Sequence, residues 1–136
     1  MLQQEVAKNF VIATGQQTSV RDFILRSAKA LGITLQFEGK DLEEVARVVA
    51  IDPAVAKSNI AVKPGDVIVR VDERYYRPAE VESLLGDPSQ AEQQLGWKPT
   101  TTLAEMISEM VANDLAMACK NRLLINEGYE VAQAKE

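Results

Sequence analysis

At 136 residues the chain is long enough for one domain with a real core but short for a two-domain enzyme carrying its own cofactor site. Its 46% apolar and 26% charged residues, with no apolar run long enough to cross a bilayer, fit a soluble protein and exclude a membrane-spanning one. Twenty acidic against 15 basic residues, with no Lys/Arg cluster, argue against nucleic acid as a partner. The absence of histidine removes the commonest general base and metal ligand and every Ser-His or Cys-His nucleophile. The single cysteine, Cys119, rules out an internal disulfide and suits a reducing compartment such as the cytoplasm. Its apolar helical surroundings predict a buried thiol.

Met1 to Glu5 carries no signal region and reads as the polar end of a helix entered partway along, so the first residue is expected to be an artificial start. Phe10 to Thr14 is apolar and β-branched and closes on Gly15, which predicts a buried strand. Thr18 or Ser19 caps a helix whose Val20, Phe23, Ile24, Ala28 and Leu31 share one stripe, with Gly32 as the stop. Ile33 to Phe37 alternates as a half-buried strand does, and Gly39 ends it. Asp41 to Ala46 suits one helical turn, and Arg47 to Ile51 suits a strand ended by Asp52-Pro53. Residues 52 to 66 read mostly as loop, closing in the turn Lys63-Pro64-Gly65-Asp66 before the strand Val67 to Val71. Asp87 and Pro88 open a short helix over 88 to 95 that Gly96 stops, and Trp97-Lys98-Pro99 forces an extended exit. Thr102 and Glu105 form a capping box for the longest helix, with Leu103, Met106, Ile107, Met110, Val111 and Leu115 as its apolar positions. Residues 120 to 136 are expected to fray, with the pattern lost after Gly128. The sum is a single, partial α+β domain over residues 1 to 136, of short strands with three to four helices.

A dinucleotide site needs a Gly-x-Gly-x-x-Gly turn, and the seven glycines never lie that close. No tyrosine has a lysine four residues later, so the acid/base pair of short-chain dehydrogenases is missing. The carboxylates Glu43-Glu44, Asp72-Glu73 and Glu80-x-Glu82 have no spacing that selects an ion or a substrate, and they read as solvated charge. No catalytic and no metal-ligating residue is assigned. The segment Asp72 to Glu80 differs, because it gathers cations, aromatics and carboxylates around a proline just after a strand. Within it the guanidinium of Arg77 matches phosphate oxygens, and the Glu80 carboxylate can accept from sugar hydroxyls. From composition alone the alternatives stand open: a local Arg77–Glu80 salt bridge, or Arg77 stacked on Tyr75 or Tyr76.

Taken together, Val62-Lys63-Pro64-Gly65-Asp66-Val67-Ile68-Val69, Tyr76-Arg77-Pro78-Ala79-Glu80-Val81-Glu82 and Leu84-Leu85-Gly86-Asp87-Pro88 resemble the GDP-mannose 4,6-dehydratase family of extended short-chain dehydrogenases. Phe10 to Gly15 with Ser19-Val20-Arg21, Leu95-Gly96-Trp97-Lys98-Pro99 and Glu109-Met110-Val111 extend the likeness to nearly the whole chain. Lys40 to Ala46 and Asp52 to Ala61 match only loosely. The resemblance implies the C-terminal, substrate-side portion of an NADP-dependent enzyme that converts GDP-mannose to GDP-4-keto-6-deoxymannose, on the route to GDP-fucose and related deoxysugars. It further implies that the Rossmann half, with NADP and the catalytic set, is missing from this chain, which would then hold no cofactor. Arg77 would contact the diphosphate of GDP-mannose and Glu80 a sugar hydroxyl on ribose. Two other readings remain: a free-standing nucleotide-sugar binding module, and a subunit that offers an uncovered face to a separate Rossmann partner or to its own copies.

Overall fold

In the computed structural model, residues 4–56, 61–77 and 84–131 are described. Helix α1 (Val20–Ala30) leads into a three-stranded antiparallel sheet of β1 (Ile33–Glu38), β2 (Val45–Ile51) and β3 (Val67–Arg70), in the order β1-β2-β3. Helices α2 (Ser89–Leu95) and α3 (Leu103–Asn126) follow. The α+β class read from the sequence therefore holds.

The core forms where the inward residues of β1 and β2 meet α1. Ala28, Ile33, Leu35, Ala46 and Val48 are buried, with Ile24, Leu25, Leu31, Phe37, Ile51 and Val69 packed around them. Cross-strand pairing puts Leu35 opposite Val48 and Phe37 opposite Ala46, so apolar side chains of adjacent strands share the face that α1 covers. The register shifts between Thr34 and Leu35 and again between Ala46 and Arg47. Such irregularities increase local twist and suit a small sheet wrapping a single helix.

Local chemistry explains the ends. The Ser19 hydroxyl accepts from the Asp22 amide at 3.0 Å, and Gly32 stands at φ +76° just past α1. In the Lys63–Asp66 turn the Asp66 amide donates to the Lys63 carbonyl at 3.1 Å, while the Asp66 carboxylate accepts from the Lys63 amide at 3.0 Å. Arg47 clamps that turn by donating to the Gly65 carbonyl at 2.6 Å. The Asp87 carboxylate accepts from the Ser89 amide at 2.9 Å, and Gly96 ends α2 in the left-handed region. The capping box of α3 is complete: Thr102 accepts from the Glu105 amide, and Glu105 accepts from the Thr102 amide at 2.8 Å.

Several expectations need correction. Phe10 to Thr14 is extended but joins no strand among the described residues; it lies beside Gly86, where an added Cβ would meet Ala13 and Val11. An apolar run becomes a strand only when a neighbour takes its hydrogen bonds, and this run has found side-chain contact instead. Gln4 and Glu5 are not helical, and residues 1–3 lie outside the described residues. The helical turn after Gly39 is a short 3-10 turn over Asp41–Glu43, and β2 starts at Val45, not Arg47. In the first half of α3 the line Leu103, Ile107, Val111 and Leu115 faces inward; Met106 and Met110 are exposed, because one neighbouring helix covers a narrower stripe than the apolar count suggests. The same geometry leaves Cys119 exposed, against the expectation of a buried thiol. Helix α3 runs to Asn126 and closes at Gly128, where the sequence pattern is also lost, and residues 132–136 lie outside the described residues.

Gly39 is the glycine whose replacement should hurt most. It stands at φ +83°, and an added Cβ would overlap the Glu43 carbonyl, whereas Gly65 at φ +98° has nothing within 4 Å. In urea titrations Gly39→Ala should lose about 2–4 kcal/mol, and Gly65→Ala only the left-handed backbone penalty of about 1–2 kcal/mol. Equal losses would show that the close approach at Gly39 does not matter.

Candidate functional site

The segment singled out by the sequence begins where β3 ends. The Val71 amide donates to the Glu44 carbonyl at 3.4 Å, a last, long ladder bond to the start of β2. A 3-10 turn over Glu73–Tyr75 then redirects the chain, and Asp72 builds it. One Asp72 oxygen accepts from the Arg74 amide at 2.9 Å, and the other accepts from the Arg74 guanidinium at 2.7 Å. The side-chain and backbone hydrogen bonds from Arg74 hold the Asp72 carboxyl below the usual carboxylate range, and Asp72 in turn raises Arg74. The Arg74 guanidinium also lies 5.4 Å from the centre of the Tyr75 ring.

The two tyrosines differ. Tyr75 is 72% exposed, with one face of its ring used by Arg74. Tyr76 is half-buried; burial first, then the negative charge of Asp41 in the β1–β2 connection, push the phenol above its ordinary value. Arg77 follows at once and is exposed. The described ion pair and aromatic stack of this segment use Arg74, so the stacking alternative considered for Arg77 is realised by its neighbour. Glu80 lies outside the described residues, as does Glu82, so the Arg77–Glu80 pairing has no described geometry.

The other carboxylates flagged in the sequence have local duties. Glu44 pairs with Arg21 of α1, whose guanidinium stands 5.2 Å from the Phe37 ring centre, and Asp72 caps its own turn. Among the described residues no three Asp, Glu or Cys side chains gather as a metal site. The described sheet is wholly antiparallel, in the order β1-β2-β3. Hollows lie elsewhere: an apolar groove of about 350 Å³ between the end of α1, Val55 and the Val111–Leu115 stretch of α3, and a hydroxyl-lined one of about 370 Å³ between Thr14–Thr18 and Pro99–Leu103. In the Tyr75–Arg77 segment Tyr75 and Arg77 are exposed and Tyr76 is half-buried.

Residues 1–110 match the family model for GDP-mannose 4,6 dehydratase. The chain belongs to the GDP-mannose 4,6-dehydratase family. The match takes in the whole sheet, the Asp72–Arg77 turn, α2 and the first turns of α3. A GDP-mannose 4,6-dehydratase of Yersinia enterocolitica is 52% identical over 97% of this chain, and one of Vibrio cholerae is 53% identical over all of it. A human GDP-mannose 4,6 dehydratase is 40% identical over 89%. The chain spans about a third of the length of the two bacterial relatives, 35% and 36%.

Sequence reasoning found the dehydratase-like loop but not its scaffold. Asp72 carries it, and the available signal was the Asp-x-Arg spacing at 72 and 74, which marks an Asx turn. Asp72, Asp87 and Glu105 all have folded values below their ordinary ones because each accepts hydrogen bonds at a turn or cap, chiefly from the Arg74 side chain, the Ser89 hydroxyl and the Thr102 amide, respectively. Depressed carboxylates stabilise the fold above their unfolded values, and that stability is lost as pH falls through the folded ones. Thermal melts should therefore hold steady from neutrality to about pH 5 and decline below. Glu105→Gln should lower the neutral plateau and flatten the acid decline; an unchanged acid limb in that variant would contradict the assignment.

Proposed function

We propose that this chain carries the C-terminal, sugar-nucleotide side of a GDP-mannose 4,6-dehydratase, the enzyme that turns GDP-mannose into GDP-4-keto-6-deoxymannose. The observation that carries the reading is the family match running through β3, the Asp72–Arg77 turn and α2. In this reading Arg77 offers its planar fork to the diphosphate, and Glu80 accepts from a ribose hydroxyl. Exposure of Arg77 at the end of an ordered turn supports the first role, since a ligand can reach it without displacing the core. Arg74 is left to hold the turn.

The chain binds and orients in this proposal; it does not transform. Hydride transfer and water elimination need NADP and an acid/base set, which the reading assigns to a Rossmann region not represented among these residues. A cytoplasmic setting fits that chemistry, and no helix among the described residues is long and apolar enough to cross a membrane. Calorimetric titration with GDP-mannose should give saturable binding, weakened about 10- to 100-fold in Arg77→Ala, as expected for loss of a charge-assisted contact. The isolated chain given GDP-mannose and NADP should yield no 4-keto product; turnover would refute the division of labour.

A second reading is favoured by one observation. The groove lined by Ala30, Leu31, Ile33, Val55, Val111 and Leu115 is apolar and open, as is the surface of a subunit that packs on another unit. Under this reading the chain docks on a separately folded Rossmann partner, and co-expression should restore dehydratase activity. The absence of a complex at micromolar concentration would remove it.

A further inference from the structure

Tyr75 stands 72% exposed two residues before Arg77, yet its ring is held from behind. The Arg74 guanidinium lies 5.4 Å from the ring centre. Arg74 is itself fixed by Asp72, whose oxygens accept from its amide at 2.9 Å and from its guanidinium at 3.1 and 2.7 Å. A cation therefore occupies one face of the ring, and the rest is open to solvent. The backbone then sets the ring beside Arg77. Tyr76 is extended, at φ -72° and ψ 125°, and side chains on either side of an extended residue leave the chain in the same direction. The exposure pattern agrees, with Tyr75 and Arg77 exposed and Tyr76 between them half-buried. Ring and guanidinium share one outward face, about 7 Å apart along the backbone.

We propose that Tyr75 is the stacking platform of the loop after β3: its open face takes the base of a nucleoside diphosphate while Arg77 takes the phosphates. The proposal rests on the reading of Arg77 as a diphosphate contact and adds the group that holds the other end of the nucleotide. One nucleotide carries its base and its phosphates at a comparable separation, so a single ligand can meet both side chains. A base needs only a flat aromatic face to stack on. A hexose is the poorer occupant, because its hydroxyls need partners, and Asp72 and Arg74 spend theirs on each other. A ring already held by Arg74 loses little freedom when a base settles on it, which favours binding.

Calorimetric titration of the whole chain with GDP, GDP-mannose and mannose 1-phosphate tests this on the parent, Tyr75→Phe, Tyr75→Leu and Arg77→Ala, with melting temperatures read alongside. Tyr75→Leu removes the ring from an exposed position, so it should melt with the parent. It should bind GDP and GDP-mannose about 5- to 100-fold more weakly, by the same factor for both. Tyr75→Phe keeps the ring and should restore the parental affinity. In the parent, the Tyr75 ring protons should move upfield as GDP is added, while those of Tyr129, also exposed, stay in place. Unchanged GDP affinity in Tyr75→Leu, or no upfield shift at saturation, would overturn the proposal. So would a loss in Tyr75→Leu confined to GDP-mannose and mannose 1-phosphate, which would make the ring a hexose platform. Weakening by Tyr75→Leu without weakening by Arg77→Ala would uphold the platform and refute the diphosphate reading alone; the converse would refute the platform alone. A parent that binds neither GDP nor GDP-mannose refutes both.

Discussion

Strand β2 is the constraint on which the rest of the molecule depends. It pairs on both sides, with β1 and with β3, and its inward residues Ala46 and Val48 are 0% and 1% exposed against α1. A one-residue slip would turn both of them outward and bring Arg47 into the core, so the register is strongly specified. Arg47 reinforces it from the other face, reaching Glu38 at 3.2 Å on β1 and the Gly65 carbonyl ahead of β3. The position of the ligand loop is a consequence. Wherever β3 is registered, Asp72 to Arg77 must follow.

That dependence also separates what was legible in the sequence from what was not. Features settled within a few residues were readable: the Ser19 cap, the Thr102–Glu105 box, the Lys63–Asp66 turn and the glycine stops at 32 and 96. Features settled by distant neighbours were not. Phe10 to Thr14 has the composition of a strand but not the ladder, and Met106, Met110 and Cys119 have apolar spacing but no covering element among the described residues. The aromatic and basic loop was visible as composition, yet which arginine stacks depends on Asp72, whose carboxylate takes Arg74 and not Arg77.

The division of roles within the loop follows from the same physics. Arg74 closes on Asp72 two residues away and stiffens the turn, and an exposed pair of this kind contributes little to stability. Its value is geometric, because it occupies the carboxylate and one face of Tyr75 and so leaves Arg77 as the exposed cation at the turn's end. The groove between α1 and α3 is apolar and open, and the Yersinia relative is about three times as long as this chain.

The central claim, that the segment after β3 is where a sugar nucleotide is held, is tested most directly by following backbone amide resonances while GDP-mannose is added. The account predicts shifts concentrated on Tyr75, Tyr76 and Arg77, with smaller ones passing to Val71 and Glu44. Shifts confined to the Thr14–Thr18 and Pro99–Leu103 hollow, or no shifts at saturating ligand, would contradict it.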